Sequence, residues 1–191
     1  MKIKAFFLII LLTLSNCKEK ETEFGNVNQI TKDEITGGFD RKKYPILQKA
    51  ISLKENGSFE KAIDKFDEAE KKYGPMLSIY LNRGVTYFQS GLPEKSIANF
   101  TKCLNIDSEY YAALNNRGIA YVHIEQYKNA IVDLTKAIQI IPLEPSTYLN
   151  RAIAYNQIGN DELACKDLKK GIELGIVVER IPNYLNSDCG F

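Results

Sequence analysis

The side chains that most often carry out chemistry are scarce in this 191-residue chain, which has four cysteines and one histidine. The single histidine, His123, excludes any site built from two or more imidazole ligands. No glycine-rich phosphate loop, nucleophile-elbow sequence or persuasive cysteine–histidine pair occurs. The formal net charge is only +1, which argues against a general polyanion binder. We therefore expect no enzyme, no bound metal or cofactor, and no nucleic-acid partner.

The first cysteine, Cys17, follows a segment with the features of a secretory signal peptide. Two lysines precede an uncharged apolar run over residues 5–12, which falls short of the roughly 20 apolar residues that span a bilayer. Residues 14–17, Leu-Ser-Asn-Cys, resemble the lipobox of bacterial lipoproteins, although Asn16 stands where Gly or Ala is usual. The resemblance implies that residues 1–16 are removed and that Cys17 carries acyl chains such as palmitate, which would anchor it to a membrane.

The segment after this cysteine, residues 17–42, is predicted to be a lipidated, flexible tether. It begins with alternating lysines and glutamates and continues through a polar stretch with several glycines. It also lacks the apolar periodicity of a packed helix or strand, so it has little with which to form a core.

A period of 34 residues organises the rest of the chain. The tripeptide Asn82-Arg83-Gly84 recurs at residues 116–118 and, with alanine in third place, at residues 150–152. Other columns keep the same register without a gap, which is the signature of a repeat architecture. One column is small (Ala62, Ser96, Ala130, Ala164), the next is bulky (Phe66, Phe100, Leu134, Leu168), and a third holds glycine three times (Gly57, Gly91, Gly159) with Glu125 as its exception.

These columns resemble the tetratricopeptide repeat (TPR), with repeats at 43–76, 77–110, 111–144 and 145–178 and a C-terminal cap at 179–191. The resemblance implies an all-α fold, a right-handed α-solenoid of four helix pairs. Physical reasoning agrees, because positions 4, 8 and 11 of each repeat share one helix face and positions 20, 24 and 27 share another. One pair cannot bury both faces alone, so the repeats must stack.

In the TPR family, positions 2, 5, 6, 9, 12 and 13 of each first helix face a concave groove. Here they are mostly apolar or amide-bearing, and no basic residue occupies positions 2, 5 or 9, so we expect no clamp for a peptide carboxylate. The side chains expected to bind a peptide are Leu81, Asn82, Val85, Phe88, Asn115, Asn116, Ile119, Val122, Asn150 and Ile153. Two alternatives stay open: the lining only stabilises the repeats, or the tether occupies the groove.

The arginines Arg83, Arg117 and Arg151 share position 7 and are called the arginine column below. Cations in such a column need nearby anions, and Asp133 and Asp167 on the second helices are candidate internal partners. An acidic or phosphate ligand is the alternative.

The three remaining thiols have different predicted roles. Cys103 lies in a small-residue column and is expected to be buried. Cys165 and Cys189 form a possible disulfide that would attach the C-terminal cap to the last repeat, a loop closure worth about 3 kcal/mol. The alternative is that both thiols are unpaired.

Taken together, the residues and the two resemblances predict a non-catalytic protein–protein interaction scaffold of the bacterial cell envelope. It would be lipid-anchored, with the outer membrane favoured over the inner, and would bind a peptide segment of an unidentified protein. A narrower alternative is a lipoprotein subunit of an outer-membrane assembly or secretion machine. A glycan-binding protein fits less well, because tryptophan is absent and most tyrosines fall in core columns.

Overall fold

The computed structural model describes residues 42–183, 185, 189 and 190. These residues form eight α-helices and no β-strand, which confirms the predicted all-α fold class. The signal segment, Cys17 and nearly all of the tether lie outside them. The helices are α1 (Pro45–Glu55), α2 (Phe59–Tyr73), α3 (Leu77–Gln89), α4 (Pro93–Ile106), α5 (Tyr111–His123), α6 (Tyr127–Ile140), α7 (Pro145–Gln157) and α8 (Asp161–Glu173), followed by a short 3-10 helix, Val178–Arg180.

The helices fall into two compact units, divided between Ile141 and Pro142. In the first unit, α1 to α6, each helix packs against the next along the chain. The first helices α1, α3 and α5 also contact one another in that order. In the second unit, α7 packs against α8. None of the helices among the described residues is long and apolar enough to cross a membrane.

Close approach within each pair explains why the repeats place small residues at fixed positions. The methyl side chains of Ala62 and Ala130 are fully buried on α2 and α6. On α3, a β-carbon added to Gly84 would lie 2.6 Å from Cε1 of Phe100, which is itself buried on α4. A larger residue at this position would therefore force the two helices apart, and interiors packed at crystal density tolerate such changes poorly.

The turn inside each helix pair requires one residue with left-handed backbone geometry. Gly57 and Gly91 supply it in the first two repeats, with φ angles of 73° and 77°. In the third repeat, Glu125 adopts a φ of 63°, the only positive φ of a non-glycine among the described residues. Because a β-carbon clashes with the backbone in this region, Glu125 is under local strain.

The second unit ends in a segment that returns to α8. Ile181 and Leu185 are buried, and the side chain of Ile176 lies against Gly171. Cys165 on α8 and Cys189 are joined by a disulfide, with their Cα atoms 5.2 Å apart. The remaining thiol, Cys103, is buried, and its burial raises the pKa of the thiol to about 12.

Relief of the strain at residue 125 should be measurable. The substitution Glu125→Gly is expected to raise the free energy of unfolding by about 0.5–1 kcal/mol, because the αL penalty of an L-residue exceeds the extra chain entropy of glycine. Urea denaturation of the purified chain measures this difference. The matched control Glu125→Ala removes the same carboxylate but keeps a β-carbon, so it should give no such gain. Equal stabilisation by both variants would contradict the assignment of strain.

Candidate functional site

The candidate groove in the first unit is formed by the neighbouring first helices α1, α3 and α5. Apolar and small residues recur along these helices at spacings of three and four, so one face of each packs on its second helix. The other face carries the positions expected to bind a peptide. The predicted residues Asn150 and Ile153 lie on α7 of the second unit and are described there.

The predicted groove residues differ in how much of their surface is accessible. Leu81, Ile119 and Val122 are no more than 4% exposed, as are Asn150 and Ile153 of the second unit. These side chains belong to the packed interior of their units. Asn82 is also buried. The partly exposed members are Val85, Phe88, Asn115 and Asn116, so these four could contact a partner without rearrangement of the helices.

The three asparagines at position 6 have different hydrogen-bonding states. Asn82 uses both ends of its amide: Nδ2 donates to the Ser78 carbonyl at 2.9 Å, and Oδ1 accepts from Lys54 Nζ at 2.7 Å. Asn116 donates to the Ala112 carbonyl at 2.7 Å, and its Oδ1 accepts no hydrogen bond from the described residues. Asn116 therefore offers a partly exposed acceptor to a peptide N–H group.

In the second unit, Asn150 is 4% exposed and its Nδ2 has no hydrogen-bond partner among the described residues. A buried amide donor without a partner is unfavourable. At the same position in α3 and α5, the asparagine Nδ2 instead donates to the carbonyl four residues earlier.

An aromatic pair lies at the C-terminal ends of α3 and α5. The rings of Phe88 and His123 meet edge to face, with centroids 5.4 Å apart. Next to Phe88, the Oε1 atom of Gln89 is buried and accepts no hydrogen bond from the part of the chain that is described. The pair and Val85 thus provide a partly exposed apolar surface on α3 and α5, and α5 also carries the partly exposed acceptor of Asn116.

The groove face of α3 and α5 carries no Asp, Glu, Lys or Arg at its six positions. In α1, Lys54 and Glu55 occupy positions 12 and 13, and Lys54 contacts Asn82. Sequence reasoning missed this contact, because a repeat pattern does not show which side chains of neighbouring repeats meet. The only available signal was that Lys54 and Asn82 both occupy groove positions of consecutive repeats.

The arginine column is satisfied by internal partners, which confirms the assignment of Asp133 and Asp167. Arg117 donates to both carboxylate oxygens of Asp133 at 2.7 and 2.9 Å. In the second unit, Arg151 makes the same bidentate contact with Asp167, at 2.7 Å to each oxygen. Each arginine also lies over a tyrosine ring of its own helix. These charges are therefore engaged within the fold, which argues against their use for an acidic ligand.

In the second repeat, the arginine of the column has different partners. There the aspartate is replaced by Asn99, which accepts from Arg83 Nε at 2.8 Å. The carboxylates come instead from Asp67 and Glu70 on α2 of the preceding repeat. Arg83, with a side chain only 5% exposed, thus joins the first repeat to the second by charge.

Glu70 is the centre of this inter-repeat cluster. It accepts a hydrogen bond from Tyr80 at 2.7 Å as well as its contacts with Arg83 and Lys102. Burial alone would raise the pKa of Glu70, but the hydrogen bonds from Tyr80 and Arg83 and the nearby positive charges hold it below its ordinary value. Burial, together with the bond to Glu70, raises the pKa of Tyr80 to about 12. Glu70 is therefore stabilised as an anion and Tyr80 as a neutral donor.

The described residues offer no evident metal site. No group of three or more His, Cys, Asp or Glu side chains among them is arranged to hold a metal ion. The arrangement can exclude water from an apolar segment and exchange hydrogen bonds through its amides. Those are properties of a binding surface.

Comparison with known proteins places three of the repeats in one family. The family model described as tetratricopeptide repeat matches residues 77–110, 111–142 and 145–174, together about half of the chain. None of the curated protein sequences is a significant match. The helix pair of residues 45–73 is not among the matched repeats.

Solved structures show the same fold at low sequence identity. The crystal structure of MamA is 24% identical, over 65% of this chain and 72% of the other, with a TM-score of 0.63. A double mutant of MamA RS-1 is 18% identical, covers 91% of this chain and 94% of the other, and has a TM-score of 0.66. A thermophilic TPR protein from Thermus thermophilus is 19% identical over 71% and 76%, with a TM-score of 0.60.

The buried ion pair of the third repeat should contribute measurably to stability. The substitution Asp133→Asn keeps the shape of the side chain but leaves Arg117 without its carboxylate. We expect the free energy of unfolding to fall by about 2 kcal/mol, measured by urea denaturation. The same chemical change at the exposed Asp64 on α2 is the control and should alter stability by less than about 0.5 kcal/mol. A similar small effect at both positions would show that the pair adds nothing.

Proposed function

Because the chain belongs to the tetratricopeptide repeat family, we propose that it is a non-catalytic protein–protein interaction scaffold that binds a peptide segment of its partner on the groove face of α3 and α5. The observation that carries this proposal is the character of that face. It combines a partly exposed apolar surface with the partly exposed amide acceptor of Asn116, and it carries no formal charge at its six positions on each helix.

The geometry favours an uncharged, apolar segment as the ligand. Val85 and Phe88 offer contact area for an apolar side chain, and the Phe88–His123 pair provides an aromatic edge for it. A main-chain N–H group of the ligand would donate to the side-chain oxygen of Asn116, which is partly exposed and accepts no hydrogen bond from the described residues. An acidic ligand is disfavoured, because the arginine column is already engaged with Asp133, Asp67 and Glu70.

The buried side chains of the predicted set would act differently. Leu81, Ile119 and Val122 would hold α3 and α5 in position rather than touch the ligand, because almost none of their surface is accessible. The proposal thus combines the two interpretations of the groove lining. Part of it stabilises the repeats, and part of it binds the ligand.

Anchoring at the cell envelope is the second element of the proposal. It rests on the lipobox-like residues 14–17 and on the polar composition of the tether, both outside the described residues. The lipid would hold the repeats near a membrane, with the outer membrane favoured. A tether of about 25 residues would let the groove reach partners on that surface.

The groove assignment predicts a selective loss of partners. A tagged chain carrying Phe88→Glu and Asn116→Arg should lose at least about tenfold in recovery of its specific partners after crosslinking on native membranes and purification, because a charge would be placed on an apolar contact. The control Val132→Glu introduces the same charge at a 68% exposed site on α6, outside the groove. Circular dichroism confirms that all variants fold. Retention of the same partners by the groove variant would contradict the assignment.

The lipid anchor predicts incorporation of a fatty acid at one residue. Cells expressing the chain with a metabolic palmitate analogue should label the wild type, and Cys17→Ser should abolish the label and move the protein from the membrane to the soluble fraction. The control Cys103→Ala removes a buried thiol and should leave both readouts unchanged. Labelling that survives in Cys17→Ser would exclude this anchor while leaving the groove proposal standing.

A further inference from the structure

The end of α8 is covered by the chain that follows it. After α8, the backbone turns at Gly175, where φ is 108°, and the N–H of Ile176 donates to the Gly171 carbonyl at 2.9 Å. A β-carbon on Gly171 would lie 2.7 Å from Cδ1 of Ile176. The three earlier repeats carry Ala or Cys in this column. The glycine of the last repeat therefore gives Ile176 room to pack directly on the helix.

Two more apolar side chains are buried in this segment. From here on, C-terminal cap denotes the described residues between 174 and 190, a range that begins closer to α8 than the one predicted from the sequence. Ile181 is 3% exposed and Leu185 is fully buried, whereas Val177, two residues after Gly175, is half exposed. The backbone hydrogen bonds described for residues 177–185 are local, from Ile181 to Val178 and from Leu185 to Pro182. Residues 177–185 are therefore characterised by buried apolar side chains, and none of the backbone hydrogen bonds described for them reaches α8.

A single covalent bond supplements these contacts. Cys189, near the end of the cap, is bonded to Cys165 on α8, 24 residues earlier. Both residues are partly exposed, so an external thiolate can reach the bond. Cys103 is less suited to thiol exchange, because it is buried and its burial raises the pKa of the thiol to about 12. Among the described residues, the accessible redox group thus lies where the cap is attached.

We propose that the Cys165–Cys189 disulfide is a redox switch that controls whether the C-terminal cap covers α8. A thiolate of a reducing dithiol attacks one sulfur, the disulfide breaks, and a mixed disulfide forms while the other cysteine leaves as a thiolate. The second thiol of the reductant then displaces the first cysteine. The dithiol reductant loses two electrons and becomes a disulfide, and the two cysteines gain those electrons and end as thiols after taking up two protons. Of the described cap residues, the apolar Ile176, Ile181 and Leu185 then remain to retain the cap, and it opens from the α8 surface at Gly171.

Hydrogen exchange on the intact chain tests this proposal. Peptides covering residues 176–185 should exchange at least about tenfold faster after treatment with dithiothreitol, while peptides from α3 to α6 keep their rates. Reoxidation should restore the original pattern. The variants Cys165→Ser and Cys189→Ser should show the fast pattern without reductant, and Cys103→Ala should behave as the wild type under both conditions.

Three results would overturn the proposal. Unchanged exchange in residues 176–185 after complete reduction would mean that the apolar contacts hold the cap by themselves. Equal acceleration in α3 to α6 would mean that reduction destabilises the whole fold rather than releasing the cap. Peptide mapping of the untreated chain that finds both thiols free would remove the bond on which the switch depends. The reductive treatment acts on folded wild-type protein, so it remains decisive even if a cysteine variant fails to fold.

Discussion

The rest of the structure depends on how closely the two helices of each pair approach. Each helix carries a small side chain at the crossing point, and the bulky side chain of its partner fills the space. In the second repeat this is the contact between Gly84 and the ring of Phe100. Because the approach is repeated every 34 residues, the first helices of the first unit line up beside one another and present a common face. The stacking of the repeats therefore forms the candidate binding surface by itself, without a separate loop or insertion.

Close approach of the helices also requires that charged side chains buried between them are paired within the fold. Position 7 places an arginine against the second helix in three repeats, and a mostly buried guanidinium must be paired. Two repeats use an aspartate of their own second helix. The remaining one, with Asn99, draws carboxylates from the preceding repeat. Because these arginines are paired inside the fold, they are not available to attract an acidic ligand. The pairing thereby leaves an uncharged face on α3 and α5 and links the first two repeats.

The sequence predicted the fold well because a repeat samples each position several times. The columns of small, bulky and glycine residues give the helix pairs and the turn geometry, and the arginine column leads to the pairing of Arg117 with Asp133. Contacts that occur once were beyond this reasoning. The bond from Lys54 to Asn82 and the cluster at Glu70 depend on long side chains meeting across repeats, and no column records them. The burial of Leu81 and Ile119 was not predicted for a related reason. A position that faces a groove can also pack against the neighbouring helix.

Site-specific photocrosslinking tests the central claim, that the face of α3 and α5 is the surface on which a partner binds. A photoreactive amino acid would replace Phe88 in one chain and the exposed Val132 on α6 in another. After irradiation of native membranes, position 88 is predicted to yield a discrete crosslinked species that position 132 does not, with the crosslink mapping to an apolar, uncharged segment of the captured protein. A partner crosslinked at position 132 and absent at position 88 would contradict the account and assign binding to the exposed surface of α6.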